Sequence, residues 1–209
     1  MVGRPRSTEC DRAILEAALA EYAARGLEAM SVDAVAARAG VSKATIYRRY
    51  PSKVELVMAA VLMLCEETSP EFDTGTLEGD VRGYVSNLAQ VISDPVYGAA
   101  KRTLLFDAVT NDDLLRMHRT LVATRRDQVR AMFERAIDRG EMRTDTDLEF
   151  ATDQLGAPLF YRHLLLHDDI DDTYVAKVVT DFVARYGVSG TAMAAPGQRA
   201  ARVTARSRT

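Results

Sequence analysis

Between Ser42 and Lys53 the chain reads Ser-Lys-Ala-Thr-Ile-Tyr-Arg-Arg-Tyr-Pro-Ser-Lys, which concentrates cations and hydroxyl donors in twelve residues. Lys43, Arg48, Arg49 and Lys53 can neutralise phosphates, and Ser42 and Tyr47 can donate hydrogen bonds to them. Thr45 and Arg48 suit base edges: a threonine methyl can meet a thymine methyl, and an arginine can fork onto guanine O6 and N7. Such residues read a groove only when one rigid element presents them together.

The neighbouring residues supply that element. Ser31 is spaced to cap a short helix whose inward positions are Val32, Val35, Ala36 and Ala39. Gly40 offers the left-handed conformation that closes it, and Val41 plugs the corner. Ser42 caps a second helix with Ile46 and Tyr50 inward, and Pro51 stops it. Two short helices about a glycine turn make a helix-turn-helix, whose second helix fits a major groove. Ser31, Ser42, Lys43, Thr45, Tyr47, Arg48, Arg49 and Lys53 are the expected DNA-facing residues.

The stretch Ala-Ala-Arg-Ala-Gly-Val-Ser-Lys-Ala-Thr-Ile-Tyr-Arg-Arg-Tyr-Pro-Ser-Lys resembles the tetracycline-repressor (TetR) family of bacterial regulators, with a match from about Cys10 to Leu56. That resemblance implies an all-α fold: an N-terminal three-helix DNA-binding domain, then a helical ligand-binding and dimerisation domain, about nine helices in total. It further implies a homodimer on a pseudo-palindromic operator of double-stranded DNA. The body would bind a small, largely apolar effector that alters the spacing of the two DNA modules.

Composition agrees with such a division. Residues 1–53 carry nine Lys/Arg against six Asp/Glu, and residues 54–186 carry fourteen against twenty-four; residues 187–209 add four arginines and no acid. A basic head on an acidic body presents one end to DNA. No apolar run is long enough to span a membrane, and the basic N-terminus lacks the apolar stretch of a secretory signal. Cys10 and Cys65 show no metal-ligand spacing, which fits a reducing cytoplasm.

The expected organisation is a flexible basic arm over 1–8 with Arg4 and Arg6, a DNA-binding domain over 9–53, a body over 54–186 and a disordered tail over 187–209. Thr8 and Asp11 are spaced as a capping box for a helix ending near Gly26; Ser52–Glu55 and Thr146–Glu149 repeat the pattern. Asn111 or Asp112 opens a long helix ending before Gly140, and Pro158 should kink the next one. A last helix spans about Asp172 to Tyr186.

In the body, one helix is apolar round most of its circumference through Leu155, Leu159, Phe160 and Leu164–Leu166. Such a helix must be covered on all sides, so a second subunit is expected on one of them. Gly156–Arg162 also resembles the dimerising helix of one TetR branch. Leu155, Leu159, Val175, Val179 and Phe182 are the expected subunit contacts. Tyr84, Asn87, Phe106, Met117, His118 and Phe133 are the expected effector residues, His118 and Asn87 as polar groups in apolar company.

His163 and His167 stand one turn apart, but a polar helix end explains them without a metal. No phosphate loop, nucleophile elbow or His-Glu-x-x-His helix is present, so no metal, cofactor or catalytic residue is expected. Two other functions fit the same residues: a constitutive DNA-binding dimer without an effector, and a helical ligand-binding protein or enzyme that contains an αα-hairpin.

Overall fold

The structure, a computed structural model, describes residues 5–188, with side chains from Thr8 onward. Arg4 of the expected arm and residues 189–209 of the expected tail lie outside the described residues. Nine α-helices and no strand occur among those described. They are α1 (Pro5–Ala29), α2 (Val32–Ala39), α3 (Lys43–Arg49), α4 (Lys53–Glu67), α5 (Leu77–Ser93), α6 (Tyr97–Asp107), α7 (Asp112–Asp138), α8 (Leu148–Phe160) and α9 (Asp172–Tyr186). A π-turn, Tyr161–Leu165, extends α8.

Helix starts follow from side-chain caps. Ser31, Ser42, Ser52, Thr76, Asn111, Asp147 and Asp171 each accept the amide three residues ahead, satisfying a donor the helix leaves open. Two expectations are corrected here. α1 starts at Pro5, so residues 5–8 are helical and Thr8 is no cap. The cap of α8 is Asp147; Thr146 instead donates its hydroxyl to the Arg143 carbonyl at 2.8 Å.

Apolar faces collect into two cores. In the first, α1 to α4 gather Ile14, Ala18, Tyr22, Val35, Ile46 and Leu56, and the cluster continues through Ala100 and Leu104 of α6 to Leu114 and Met117 of α7. The second holds Val81 and Val85 of α5, Val129 and Phe133 of α7, and the inner faces of α8 and α9. α7 therefore serves both cores, its first turns in one and its last turns in the other.

The subunit contacts expected at Leu155, Leu159, Val175, Val179 and Phe182 are not available. All five are buried within the chain, in the second core, where Phe182 stacks on Phe133 at 5.4 Å. A helix apolar all round does not reveal which stripe turns inward, and α5 takes this one. The stripe left outside consists of Phe150, Phe160, Tyr161, Leu165 and Leu166, with Leu165 65% exposed. Pro158 has no N–H and so breaks one internal bond, and three residues on the helix widens so that the Leu166 amide reaches the Tyr161 carbonyl.

Candidate DNA-recognition surface

The geometry is built from α1 outward. Ile14, Ala18 and Tyr22 form the floor on which Val32, Val35 and Ala36 of α2 and Ile46 of α3 rest. Gly40 closes α2 at φ 67°, ψ 30°, with its amide toward Ala37 and the Val41 amide reaching the Ala36 carbonyl at 3.0 Å. This double bond to the last turn is a Schellman motif, which favours a residue without a Cβ at its left-handed position. Ser42 then caps α3 through the Thr45 amide at 3.2 Å, and its hydroxyl lies 2.9 Å from that of Thr45.

The cations divide into two kinds. Arg48 is exposed with no ion pair among the described residues, and the exposed Tyr47 stands beside it. Lys43 is exposed and meets Asp33 of α2 at 2.9 Å, a contact that raises its pKa and that a phosphate can replace. Arg49 and Lys53 do not face outward as expected. Arg49 pairs with Asp11 of α1 at 2.5 Å, and the Lys53 ammonium donates to the Glu28 carbonyl at 3.1 Å. Both sit at helix ends beside α1, where folding supplies a partner before DNA does. They brace the pair of helices.

Three acids complete the brace, a role that sequence reasoning did not assign to them. Asp11 is one. Glu21, buried on the apolar face of α1, accepts the Ser31 amide at 3.2 Å and the Arg25 guanidinium at 3.0 Å. An acid inside an apolar stripe is a visible signal for such a role. Asp107, the last residue of α6, accepts the Leu27 amide at 2.9 Å, just past the break of α1 at Gly26 (φ 73°). Burial, with the Asp107 carboxylate alongside, pushes the Tyr22 phenol well up. Eighty residues separate Asp107 from Leu27, so no local pattern announces it.

The expected effector residues do not share one cavity. Tyr84 and Phe133 lie in the second core and Met117 in the first, while Phe106 is 75% exposed. His118 is half-buried, and burial lowers its pKa. Asn87 accepts from Arg125 at 3.3 Å. One cleft of about 40 Å³ opens beside Tyr84, lined by Phe72, Gln128, Met132 and Arg135 among others. It has room for a few waters, far below the several hundred Å³ typical of a ligand pocket.

A helical bundle with a braced, basic recognition helix is the architecture of a helix-turn-helix regulator, and comparison with known proteins gives the family. Residues 14–60 match the model for bacterial regulatory proteins of the tetR family, and residues 71–182 match that for the tetracyclin repressor-like C-terminal domain. The HTH-type transcriptional regulator YdeS of Bacillus subtilis (strain 168) is 34% identical over 178 residues, 85% of this chain and 89% of that protein. A DNA-binding transcriptional repressor TetR of Mycobacteroides abscessus is 34% identical over 173 residues, 81% and 89% of the two chains. The crystal structure of the TetR-family regulator SCO0332 superimposes with a TM-score of 0.65 at 28% identity, covering 84% of this chain and 97% of that one. This chain belongs to the TetR family of DNA-binding transcriptional regulators.

Proposed function

We propose that this protein is a ligand-responsive repressor that binds a pseudo-palindromic operator as a homodimer. The observation that carries the reading is α3: a capped helix with Thr45, Tyr47 and Arg48 outward, held at a fixed angle by Gly40, Glu21 and the Arg49–Asp11 pair. Arg48 and Thr45 read base edges, while Lys43, Ser42, Tyr47 and Ser31 meet phosphates. Repression is supported by the similar protein of Mycobacteroides abscessus, which is named a repressor.

The dimer forms through the outer stripe of α8 and its π-turn, where Phe150, Phe160, Tyr161, Leu165 and Leu166 leave apolar surface without cover. Two copies then place their recognition helices one turn of DNA apart, about 34–36 Å. Selection from random duplexes should return an inverted repeat with that half-site spacing, and Leu165→Asp should yield a monomer by sedimentation with weakened operator binding. Failure to enrich any sequence would sink the reading.

The small size of the Tyr84 cleft favours a second reading, a constitutive repressor whose body is scaffold. A ligand that weakens operator binding, and is weakened by operator to the same degree, decides for the first. No helix of the described residues is long and apolar enough to cross a membrane, which suits work in the cytoplasm on chromosomal DNA.

A further inference from the structure

From Ser31 to Lys53 the chain carries five cations, Arg38, Lys43, Arg48, Arg49 and Lys53, and a single carboxylate, Asp33. That acid lies against the recognition helix. It stands in the first turn of α2, and its carboxylate meets the ammonium of Lys43, the first residue of α3, at 2.9 Å. Arg38 and Arg48, both exposed, have no ion pair among the described residues, so the acid is set on one cation in particular.

The contact adds little to the fold. Ser31 already caps α2 through the Ala34 amide at 3.3 Å, and Gly40 already closes the turn. The Asp33 side chain is 72% exposed and that of Lys43 47%, and an ion pair so open to water contributes little to stability. The carboxylates of Asp11 and Glu21, which brace the helices, come from α1 and are less exposed. What the Asp33 contact changes is the field in front of α3. An ammonium beside a carboxylate is neutral as a pair, so Lys43 exerts almost no pull on a distant phosphate. Its ammonium has three donors; Asp33 takes one and leaves two for a phosphate that docks in the right place.

We propose that Asp33 is a specificity-determining residue for DNA: it suppresses binding to duplexes of any sequence by cancelling the long-range attraction of Lys43, and it aims that lysine at one phosphate of the operator. The proposal rests on reading Lys43 as a phosphate contact. Affinity for random duplex comes almost wholly from phosphates, whereas operator affinity also draws on the base contacts of Arg48 and Thr45. Removing the carboxylate strengthens the phosphate attraction in both complexes. Only the operator complex also loses the fixed aim of Lys43, so it gains less. Discrimination is the difference between the two affinities, and Asp33 widens it by lowering the unwanted one further.

The test uses the full chain and its variants Asp33→Asn, Asp33→Glu and Lys43→Gln, each titrated with the selected operator and with a scrambled duplex over a range of salt. Asp33→Asn should bind the scrambled duplex about tenfold more tightly at low salt, and its log affinity should fall more steeply with log salt by about 0.9 for each subunit bound. The operator should gain less, so the ratio of the two affinities falls. Asp33→Glu keeps the charge and should hold the wild-type ratio. A purely structural Asp33 predicts the opposite sign, a lower Tm with weaker binding to both duplexes. Scrambled-duplex affinity that is unchanged or lower in Asp33→Asn, or equal gains on both duplexes, overturns the proposal. Lys43→Gln separates this from the reading beneath it. If Lys43→Gln weakens neither duplex, the phosphate contact itself is lost and Asp33 with it. If it weakens both while Asp33→Asn changes nothing, the contact stands and the role of Asp33 alone is overturned.

Discussion

The two cores handle buried polarity in different ways. In the first, Glu21 and Asp107 turn carboxylates onto backbone amides, those of Ser31 and Leu27, and fix the entry of α2 and the end of α1. In the second, the fully buried Asp80 accepts the Thr74 amide and hydroxyl and pairs with Arg139 at 3.2 Å, pinning a loop to the bundle. One core uses its acids to set the angle of a working surface; the other uses them to close itself. Asp107 also shows that the DNA-binding unit does not stop where its helices stop. It borrows α6 from the body, along with Ala100 and Leu104.

The largest effect tests whether the cores are separable. Phe133 is fully buried in the second, and Phe133→Ala should cost about 3–5 kcal/mol through lost burial and a residual cavity. Because α7 runs through both cores, calorimetry should show one transition at lower temperature. Two resolved transitions would break the picture of a shared helix.

Asp107→Ala removes a charged acceptor from the Leu27 amide and should cost about 1.5–3 kcal/mol. Hydrogen exchange should rise first at Leu27 to Met30, in the DNA-binding unit, although the substitution lies in the body. Exchange that rises only within α6 would return Asp107 to the body alone.

Within α3 the contrast is sharper still. Arg48→Ala should lose about 1–3 kcal/mol at the operator and relax preference at one base position, with Tm almost unchanged. Arg49→Ala should lower Tm and weaken all duplexes alike, since its partner is Asp11. Selected consensus sequences and melting curves of the two variants check both halves.

The smallest effect is one of pH. Burial lowers the His118 pKa in the folded state, so the unfolded chain takes up the proton first. Stability should therefore fall as pH drops below about 6.5, the usual histidine value, and His118→Gln should remove part of that slope. A wild-type profile as flat as the variant's would place His118 in water.

Much of the first unit was legible because its determinants are local. Caps such as Ser31, Ser42 and Ser52 act within three residues, and Gly40 closes its turn against the residues just before it. Even so, Thr146 and Asp147 are equally able caps, and only the Arg143 carbonyl, which claims the threonine, decides between them. Arg49 and Lys53 show the same limit: their charge is readable, but their partners on α1 are not. In the body, Tyr84 and Phe133 are buried in the second core, and no local pattern says that Met117 enters the first. Leu155 and Leu159 were legible as buried and illegible as to what buries them.

α7 has 27 residues and is about 40 Å long, with its two ends embedded in different surroundings. A stiff rod gripped at both ends behaves as a lever. If it pivots near its midpoint by about 10°, each end sweeps roughly 3–4 Å over its half-length of about 20 Å. Arg125 is that midpoint, where a small push needs the least travel and the ends return the most. A duplex accepts paired helices only at a fixed pitch, about 34–36 Å between half-sites, so in the proposed dimer a displacement of that size would put the two helices out of step with the grooves.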